Sequence, residues 1–242
     1  MRIGLYDIHN HIMPYVDDGS PDLAMTERML RIAYYEGIRH IILTPHYREE
    51  SFTATYSQLE QQFQSVKDLV ANILPDLMIY LGSELFYGGD ILEGLQKGQL
   101  HTMVGSTYVL IEFPFGRDFH YIQQALNLLQ TGGYRPILAH FERYECLFDR
   151  LDRIRELVES GIYMQINTTS VTGRQWKLGR DYIKKAIRSG YIHLIGTDAH
   201  NADIRPPLMQ KCAEHLFKKY DENLAQKIVF ENPNRIIRNE FI

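Results

Sequence analysis

The sequence predicts an α/β fold, a parallel sheet closed into a barrel-like array of roughly seven βα units, and three observations carry that expectation. Short apolar runs alternate with longer segments of helical period along the whole chain. The 242 residues, 45% of them hydrophobic, suffice for one core of the size of a βα barrel, for which about 250 residues is typical. No Ser/Gly run, Pro-rich stretch, low-complexity block or fixed-period repeat divides the chain, so a single domain over 1–242 is expected.

The elements follow in order. Ile3–Ile8 reads as the first strand. Pro21–Glu36 reads as a helix, with Ser20 as N-cap, Pro21 in the first helical position and Gly37 as the stop. His40–Leu43 is the next strand, interrupted by Thr44-Pro45. Tyr56–Leu74 carries an apolar stripe of Leu59, Phe63, Val66, Leu69 and Val70 and closes at Pro75. Strands Met78–Leu81 and Tyr108–Ile111 flank a short helix near Asp90–Lys97. Then come helix Tyr121–Gln130, strand Pro136–Ala139, helix Asp149–Glu159 and strand Tyr163–Ile166. Helix Lys177–Ser189, strand His193–Ile195, helix Pro207–Tyr220 and two short helices, Glu222–Phe230 and Pro233–Arg238, complete the chain.

Composition narrows the function classes. A net charge of −4 gives no global basic footprint, so a nucleic-acid partner is not expected. Cys146 and Cys212 lie in unrelated segments and form no Cys-x-x-Cys pair, which argues against a zinc knuckle or a disulfide framework. Met1–Asp7 lacks an apolar leader core, and no apolar run reaches membrane-span length, so a cytoplasmic enzyme without membrane insertion is expected.

In βα barrels the reactive residues gather at the C-terminal ends of the strands. Asp7-x-His9-x-His11 follows the first strand here, with Asp17-Asp18-Gly19 just beyond. Pro45-His46 ends the second strand, and Glu84 follows Leu81-Gly82-Ser83. Glu112 ends Val109-Leu110-Ile111, His140 ends Ile137-Leu138-Ala139, and Asp198-x-His200 follows Leu194-Ile195-Gly196. Alternate strand residues point the same way, so His9 and His11 can aim at one ion, and residues from other strand ends can complete its shell. Imidazole with carboxylate suits zinc, manganese or iron. A single histidine at a strand end is more often structural than ligating, and a single carboxylate there commonly caps a helix. The convergence of nine such residues on one face is what favours metal binding, while His40, His101, His120, His193 and His215 show no such placement and read as surface or packing residues.

Arg143 lies three residues after His140, and Arg205 follows the Asp198 motif. Guanidinium forks beside a metal cluster suit a phosphate oxyanion, although either arginine alone would read as a surface or salt-bridge residue.

The series His9-x-His11, Asp18-Gly19, His46, Glu84, Glu112, His140 and Asp198-x-His200 resembles the polymerase-and-histidinol-phosphatase (PHP) superfamily. Within it, the stretches Val16-Asp17-Asp18-Gly19, Ala139-His140-Phe141-Glu142-Arg143-Tyr144 and Arg205-Pro206-Pro207 are most similar to the manganese-dependent protein-tyrosine phosphatases of bacterial capsule and exopolysaccharide gene clusters, the CpsB/CapC type. The resemblance implies a distorted TIM-like (β/α)7 barrel of PHP type and three divalent metal ions, manganese by preference, with iron, cobalt, zinc or magnesium as alternatives. It implies that His9, His11 and Asp198 hold the first ion, that Glu84 bridges to the second, held also by Glu112 and His140, and that Asp18, His46 and His200 hold the third. Asp18 rather than Asp17 is the implied ligand because it precedes Gly19. The implied substrate is a phosphotyrosine in the tyrosine-rich C-terminal tail of a membrane-associated bacterial protein kinase that controls polysaccharide synthesis.

For such a site the expected chemistry is direct attack on phosphorus by a hydroxide shared between paired ions, with Arg143 and Arg205 neutralising the non-bridging oxygens. A phenolate leaves readily and needs no strong general acid. Cys146 stands outside a Cys-x5-Arg setting, so thiol chemistry is not expected. Phe115 and Tyr144 are aromatic candidates for stacking on a ring, with ordinary packing the simpler account of each. The loop Tyr47–Thr55 carries no readable motif. The competing expectations are a phosphatase for a small metabolite such as histidinol phosphate, a nuclease module, and a silent metal-binding regulator.

Overall fold

The computed structural model describes residues 4–172 and 180–242. Strands and helices alternate as β1 (Leu5–Asp7), α1 (Leu23–Tyr35), β2 (Ile38–Leu43), β3 (His46–Tyr47), α2 (Tyr56–Ile73), β4 (Met78–Leu81), β5 (Glu84–Phe86), α3 (Ile91–Gln96), β6 (Tyr108–Glu112) and α4 (Phe119–Thr131). They continue as β7 (Arg135–Leu138), α5 (Leu151–Glu159), β8 (Tyr163–Asn167), α6 (Thr168–Thr172), α7 (Arg180–Arg188), β9 (Leu194–Gly196), α8 (Gln210–Lys219), α9 (Glu222–Gln226) and α10 (Asn232–Ile237). The expected starts at Ile3 and Lys177 lie outside the described residues.

The strands form two parallel sheets, β1-β2-β4 and β3-β5-β6-β7-β8-β9. Two polypeptide runs pass from the first sheet to the second. One crosses at Thr44-Pro45, where β2 gives way to β3, and the other at Gly82-Ser83, between β4 and β5. The expectation of one strand per unit is corrected here: His46 and Glu84 do not trail off strand ends but open short strands of their own, paired directly opposite each other. The far edges also meet. An Asn10–Ala199 bridge joins the chain beyond β1 to the chain beyond β9, with Asp198 N–H donating to the His9 carbonyl at 2.7 Å and His11 N–H to Ala199 at 2.8 Å.

Alternate strand residues divide between two cores, as the pleat requires. Ile42, Leu110, Ile137, Ala139 and Leu194 pack with Ile8 in the smaller cluster. Their neighbours Ile41, Leu43, Val109, Ile111, Leu138 and Ile195 pack with helix residues Leu30, Val66, Leu126, Leu157 and Leu216. The stripe expected on α2 has this inward face, with Leu59, Val66 and Val70 buried and Phe63 and Leu69 packed at its margin.

Helix starts show where local chemistry differed from the sequence reading. Asp22, not Ser20, caps α1, its carboxylate accepting from the Met25 N–H at 2.7 Å. Ser20 is instead buried, its hydroxyl donating to the Asp22 carbonyl at 2.8 Å. Thr55 and Gln58 form a reciprocal capping box on α2. Among the described residues no helix is long and apolar enough to cross a membrane.

Candidate metal centre

His9 and His11 follow β1 on alternate positions and are fully buried. Each is oriented through its Nδ1. His9 Nδ1–H points at the Gln165 side-chain oxygen at 3.0 Å, and His11 Nδ1–H donates to Asp17 Oδ2 at 2.8 Å. That fixes the tautomer that leaves Nε2 as an acceptor on both rings. The two Nε2 atoms face Glu84 Oε2 at 3.1 and 3.3 Å and Asp198 Oδ1 at 3.8 and 3.5 Å. His140 Nε2 lies 2.9 Å from Glu84 Oε1 and 3.4 Å from Glu112 Oε1. His46 Nδ1 lies 3.1 Å from Glu84 Oε2, while its Nε2 and that of His200 lie 3.7 and 3.6 Å from the exposed Asp18 Oδ1.

The structure therefore brings all nine sequence-predicted residues together. Three overlapping groups could each hold a cation: His9, His11 and Glu84; His46, Glu84 and Glu112; and His11, Asp18, His46 and His200. Glu84 belongs to two of them, as a bridging carboxylate would. His46 also belongs to two, but a neutral imidazole offers one lone pair, so it could serve only one ion, its other ring nitrogen carrying a proton.

Buried polar atoms normally find partners. His9 Nε2, His11 Nε2 and Glu84 Oε2 are buried without a hydrogen-bond partner, although they converge on one point. Acceptors facing acceptors at this depth fit a divalent cation between them. Without an ion, protonated imidazoles balance the carboxylates instead: burial pushes His11 down, but Asp17 outweighs it and raises the ring well above its usual range. Burial pushes the Asp198 and Glu84 carboxyls up, but the surrounding imidazoles outweigh it and hold both well below the usual range. Burial pushes His140 down, but the Glu112 and Glu84 carboxylates lift it to about 10. His200 falls to about 3 through burial and the nearby His11 charge.

Two of the six non-glycine residues with positive φ among the described residues belong to the site. His140 (φ 30°) and Asp198 (φ 52°) both adopt left-handed conformations, unfavourable for residues with a side chain. Gly19 and Gly196 are required by close approach: a Cβ on Gly19 would meet the His11 carbonyl at 2.1 Å, and one on Gly196 would meet His9 Cβ at 2.5 Å.

Both predicted arginines reach the centre. Arg143 Nη1 lies 3.2 Å and Arg205 Nη2 2.8 Å from Asp198 Oδ2, which also accepts from Asn167 Nδ2 at 2.8 Å. Asp198 thus divides its oxygens, Oδ1 toward the imidazoles and Oδ2 toward the guanidinium groups. Above it opens a cavity of about 210 Å³, lined by the candidate ligands other than His9 and His11 and by Arg143, Arg205, Phe115, Arg48 and Phe52. Of the two aromatic candidates, Tyr144 is fully buried and its hydroxyl accepts from the Phe113 N–H, which makes it packing, whereas Phe115 faces the cavity.

Sequence reasoning missed Gln165 and Asn167, and it named Asp17 only to set it aside as a ligand, without the orienting role it has here. Asp17 accepts from His11 Nδ1–H and from the backbone N–H groups of Gly19 and His46, so it joins three parts of the site. Gln165 accepts from the His140 N–H at 2.7 Å as well as facing His9, and its amide donates to Asn167. The five histidines set aside do pack elsewhere: His40 stacks on Tyr6, His101 on Tyr56, His193 lies edge-on to Tyr163, and His120 and His215 neighbour Phe119 and Tyr220.

Parallel strands in TIM-like order with imidazoles, carboxylates and arginines at one end define a candidate metal centre of hydrolase type, and comparison with known proteins gives its family. The model of the capsular polysaccharide synthesis family CpsB/CapC matches residues 5–238, and the chain belongs to that family. Tyrosine-protein phosphatase CpsB of Streptococcus pneumoniae is 32% identical over 243 residues, covering 98% of this chain and 100% of that protein. A solved structure of YwqE from Bacillus subtilis and CpsB from Streptococcus pneumoniae, described as metal-dependent tyrosine phosphatases, superposes with a TM-score of 0.91 at 31% identity, covering 98% of this chain and 96% of the other. A phosphotriesterase homology protein from Escherichia coli shares the fold at 13% identity, TM-score 0.64, with 97% and 99% of the two chains covered.

Proposed function

We propose that this protein is a metal-dependent protein-tyrosine phosphatase whose centre is held by His9, His11, Asp18, His46, Glu84, Glu112, His140, Asp198 and His200. The observation that carries the reading is the partnerless buried lone pairs of His9, His11 and Glu84, converging beneath two arginines that share Asp198 Oδ2. Family membership and relatives named as tyrosine phosphatases support it over a small-metabolite phosphatase.

Bound divalent ions supply Lewis acidity and a water of lowered pKa. The chain's own groups do the rest. Arg143 and Arg205, half-exposed and already turned into the cavity, take the non-bridging phosphoryl oxygens through their planar forks. Arg205 Nη2 donates to both Asp198 Oδ2 and the Asp198 carbonyl, so little rotamer freedom is lost when phosphate arrives. Gln165 and Asp17 hold the imidazoles in the tautomer that keeps Nε2 free. Among the described residues no thiol lines the cavity, and the Cys146 thiol is pushed up by burial, away from nucleophilic character.

In finer detail, the reading is a single domain over 1–242 in a distorted (β/α)7 barrel, with β2–β3 and β4–β5 each counting as one broken stave. Three ions, manganese by preference, occupy the nine ligands. The substrate is a phosphotyrosine in the C-terminal tail of a bacterial tyrosine kinase of capsule or exopolysaccharide synthesis, met in the cytoplasm at the inner membrane face.

The test is hydrolysis of a phosphotyrosine peptide by the purified protein with manganese and then with excess chelator. Turnover that disappears on chelation and returns with manganese is expected. Chelator-resistant turnover, or none in any metal, overturns the reading. Arg143→Lys or Arg205→Lys should lower kcat/KM about 10- to 100-fold, because an ammonium cannot reproduce the bidentate fork.

A further inference from the structure

The loop after β3 has no legible motif, yet it shapes the mouth of the cavity. Arg48 and Phe52 form an antiparallel bridge: the Arg48 N–H donates to the Phe52 carbonyl at 2.9 Å, and the Phe52 N–H to the Arg48 carbonyl at 2.8 Å. This tight hairpin sets both side chains on the cavity wall. The Arg48 guanidinium lies 4.1 Å over the Phe86 ring, which ties the hairpin to β5. Phe52 in turn stacks parallel on the His46 imidazole, centroids 5.6 Å apart and planes 10° apart.

A second ring enters from a different element. Phe115, 38% exposed, packs edge-on against His140 at 5.7 Å and lies under the Arg143 guanidinium at 4.8 Å. His46 and His140 both reach Glu84 and Glu112, at 3.1 and 3.9 Å for one and 2.9 and 3.4 Å for the other. Each phenyl ring therefore packs on a different imidazole of the same centre, and both open onto the same cavity with Arg143 and Arg205. At about 210 Å³ the cavity is smaller than most whole-ligand pockets, which run to roughly 300–1,000 Å³. It suits one phosphorylated side chain whose polypeptide stays outside. An exposed phenylalanine in a water-filled mouth has an apolar face to cover, and an aromatic substrate ring covers it in the offset or edge geometries that such rings prefer.

We propose that Phe52 and Phe115 form an aromatic clamp on the substrate ring and are the residues that select aryl over alkyl phosphates. The inference rests on the phosphatase reading above. Phosphate on Arg143 and Arg205 fixes one end of the substrate, and the two phenylalanines fix the ring attached to it. A phosphoserine would place its phosphate on the same arginines and leave both rings uncovered. The two rings therefore add selectivity in binding, on top of the readier departure of a phenolate in the bond-breaking step.

The test compares two peptides of one sequence, carrying phosphotyrosine or phosphoserine, on wild type, Phe52→Ala, Phe52→Leu, Phe52→Tyr and Phe115→Ala, each loaded with manganese. A parallel calorimetric measurement uses peptides with the non-hydrolysable phosphonates of the two residues. For each alanine variant KM and Kd for the aryl peptide should rise about tenfold with kcat within a factor of about three. Constants for the alkyl peptide should stay within about twofold, Phe52→Tyr should restore wild-type affinity, and Phe52→Leu should fall between. Equal losses on both peptides, or a fall in kcat at constant KM, overturn the clamp and point to a purely structural hold on His46 or His140. If wild type discriminates but the variants keep its KM, the clamp alone fails. If wild type hydrolyses neither phosphotyrosine peptide nor binds its phosphonate, the phosphatase reading fails with it.

Discussion

Gln165 has one side-chain oxygen and two tasks, accepting the His140 N–H and fixing the His9 tautomer. Removing it frees both a ligand ring and the strained backbone of another ligand. Gln165→Ala should weaken manganese binding about 10- to 100-fold, as losses of ligand-orienting partners commonly do. Metal titration by calorimetry reads this directly, and an unchanged affinity would show that packing alone holds His9. Cys146 gives the converse test. Its thiol is half-buried, lies outside the cavity and is raised by burial, so Cys146→Ser should keep kcat within about twofold. A near-complete loss would overturn metal-assisted hydrolysis in favour of a thiol nucleophile.

Elements explain why some of the site was legible and some was not. The nine candidate ligands could be picked out because they stand at or just beyond apolar runs, and in a parallel βα array such positions share one face. His46 and Glu84 were found for that reason, yet the strands they open escaped notice, since two or three residues are too few to show a period. Gln165 sits mid-strand between Met164 and Ile166, all three fully buried, and only its hydrogen bonds to His9 and His140 reveal that it faces the site. The Arg48–Phe52 hairpin turns through Glu49-Glu50-Ser51, without the Gly, Asn or Pro that usually marks a tight turn. β9 supplies the prediction at this scale. Gly196 brings its backbone against His9, and a methyl there would stand 2.5 Å from His9 Cβ and 3.1 Å from Gln165 Nε2. Gly196→Ala should cost about 1–3 kcal/mol by overpacking and should also lower metal affinity, because β9 and the chain beyond β1 cannot separate without moving a ligand. Thermal unfolding and metal titration of the same variant check the two effects together.

At the scale of the molecule, the candidate centre joins the strand ends of both sheets, so an ion bound there would add to global stability. An ion held at about 100 times its dissociation constant adds about 2.7 kcal/mol to unfolding, which for a chain of this size raises Tm by roughly 5–10 °C. Chelation should remove that increment. The opposite end of the sheet carries a separate dependence on pH. His193 Nδ1 accepts from the Met164 N–H at 3.0 Å, its carbonyl accepts from Asn232 at the start of α10 at 2.9 Å, and its ring meets Tyr163 edge-on at 5.3 Å. Burial of the ring lowers its pKa from 6.5 to about 4, and protonation would also remove the acceptor that Met164 uses. Between these values the unfolded chain binds the proton and the folded chain does not. The contribution is therefore complete above pH 6.5 and is lost as pH falls toward 4. Because the ring is only partly shielded from water, the loss from pH 7 to pH 5 should be about 1 kcal/mol. His193→Gln keeps an acceptor for Met164 but cannot titrate, so its stability should fall less steeply than wild type over that interval. Denaturant unfolding of both proteins in chelator at pH 7, 6 and 5 isolates this difference from the metal ligands, and parallel curves would remove His193 as the source.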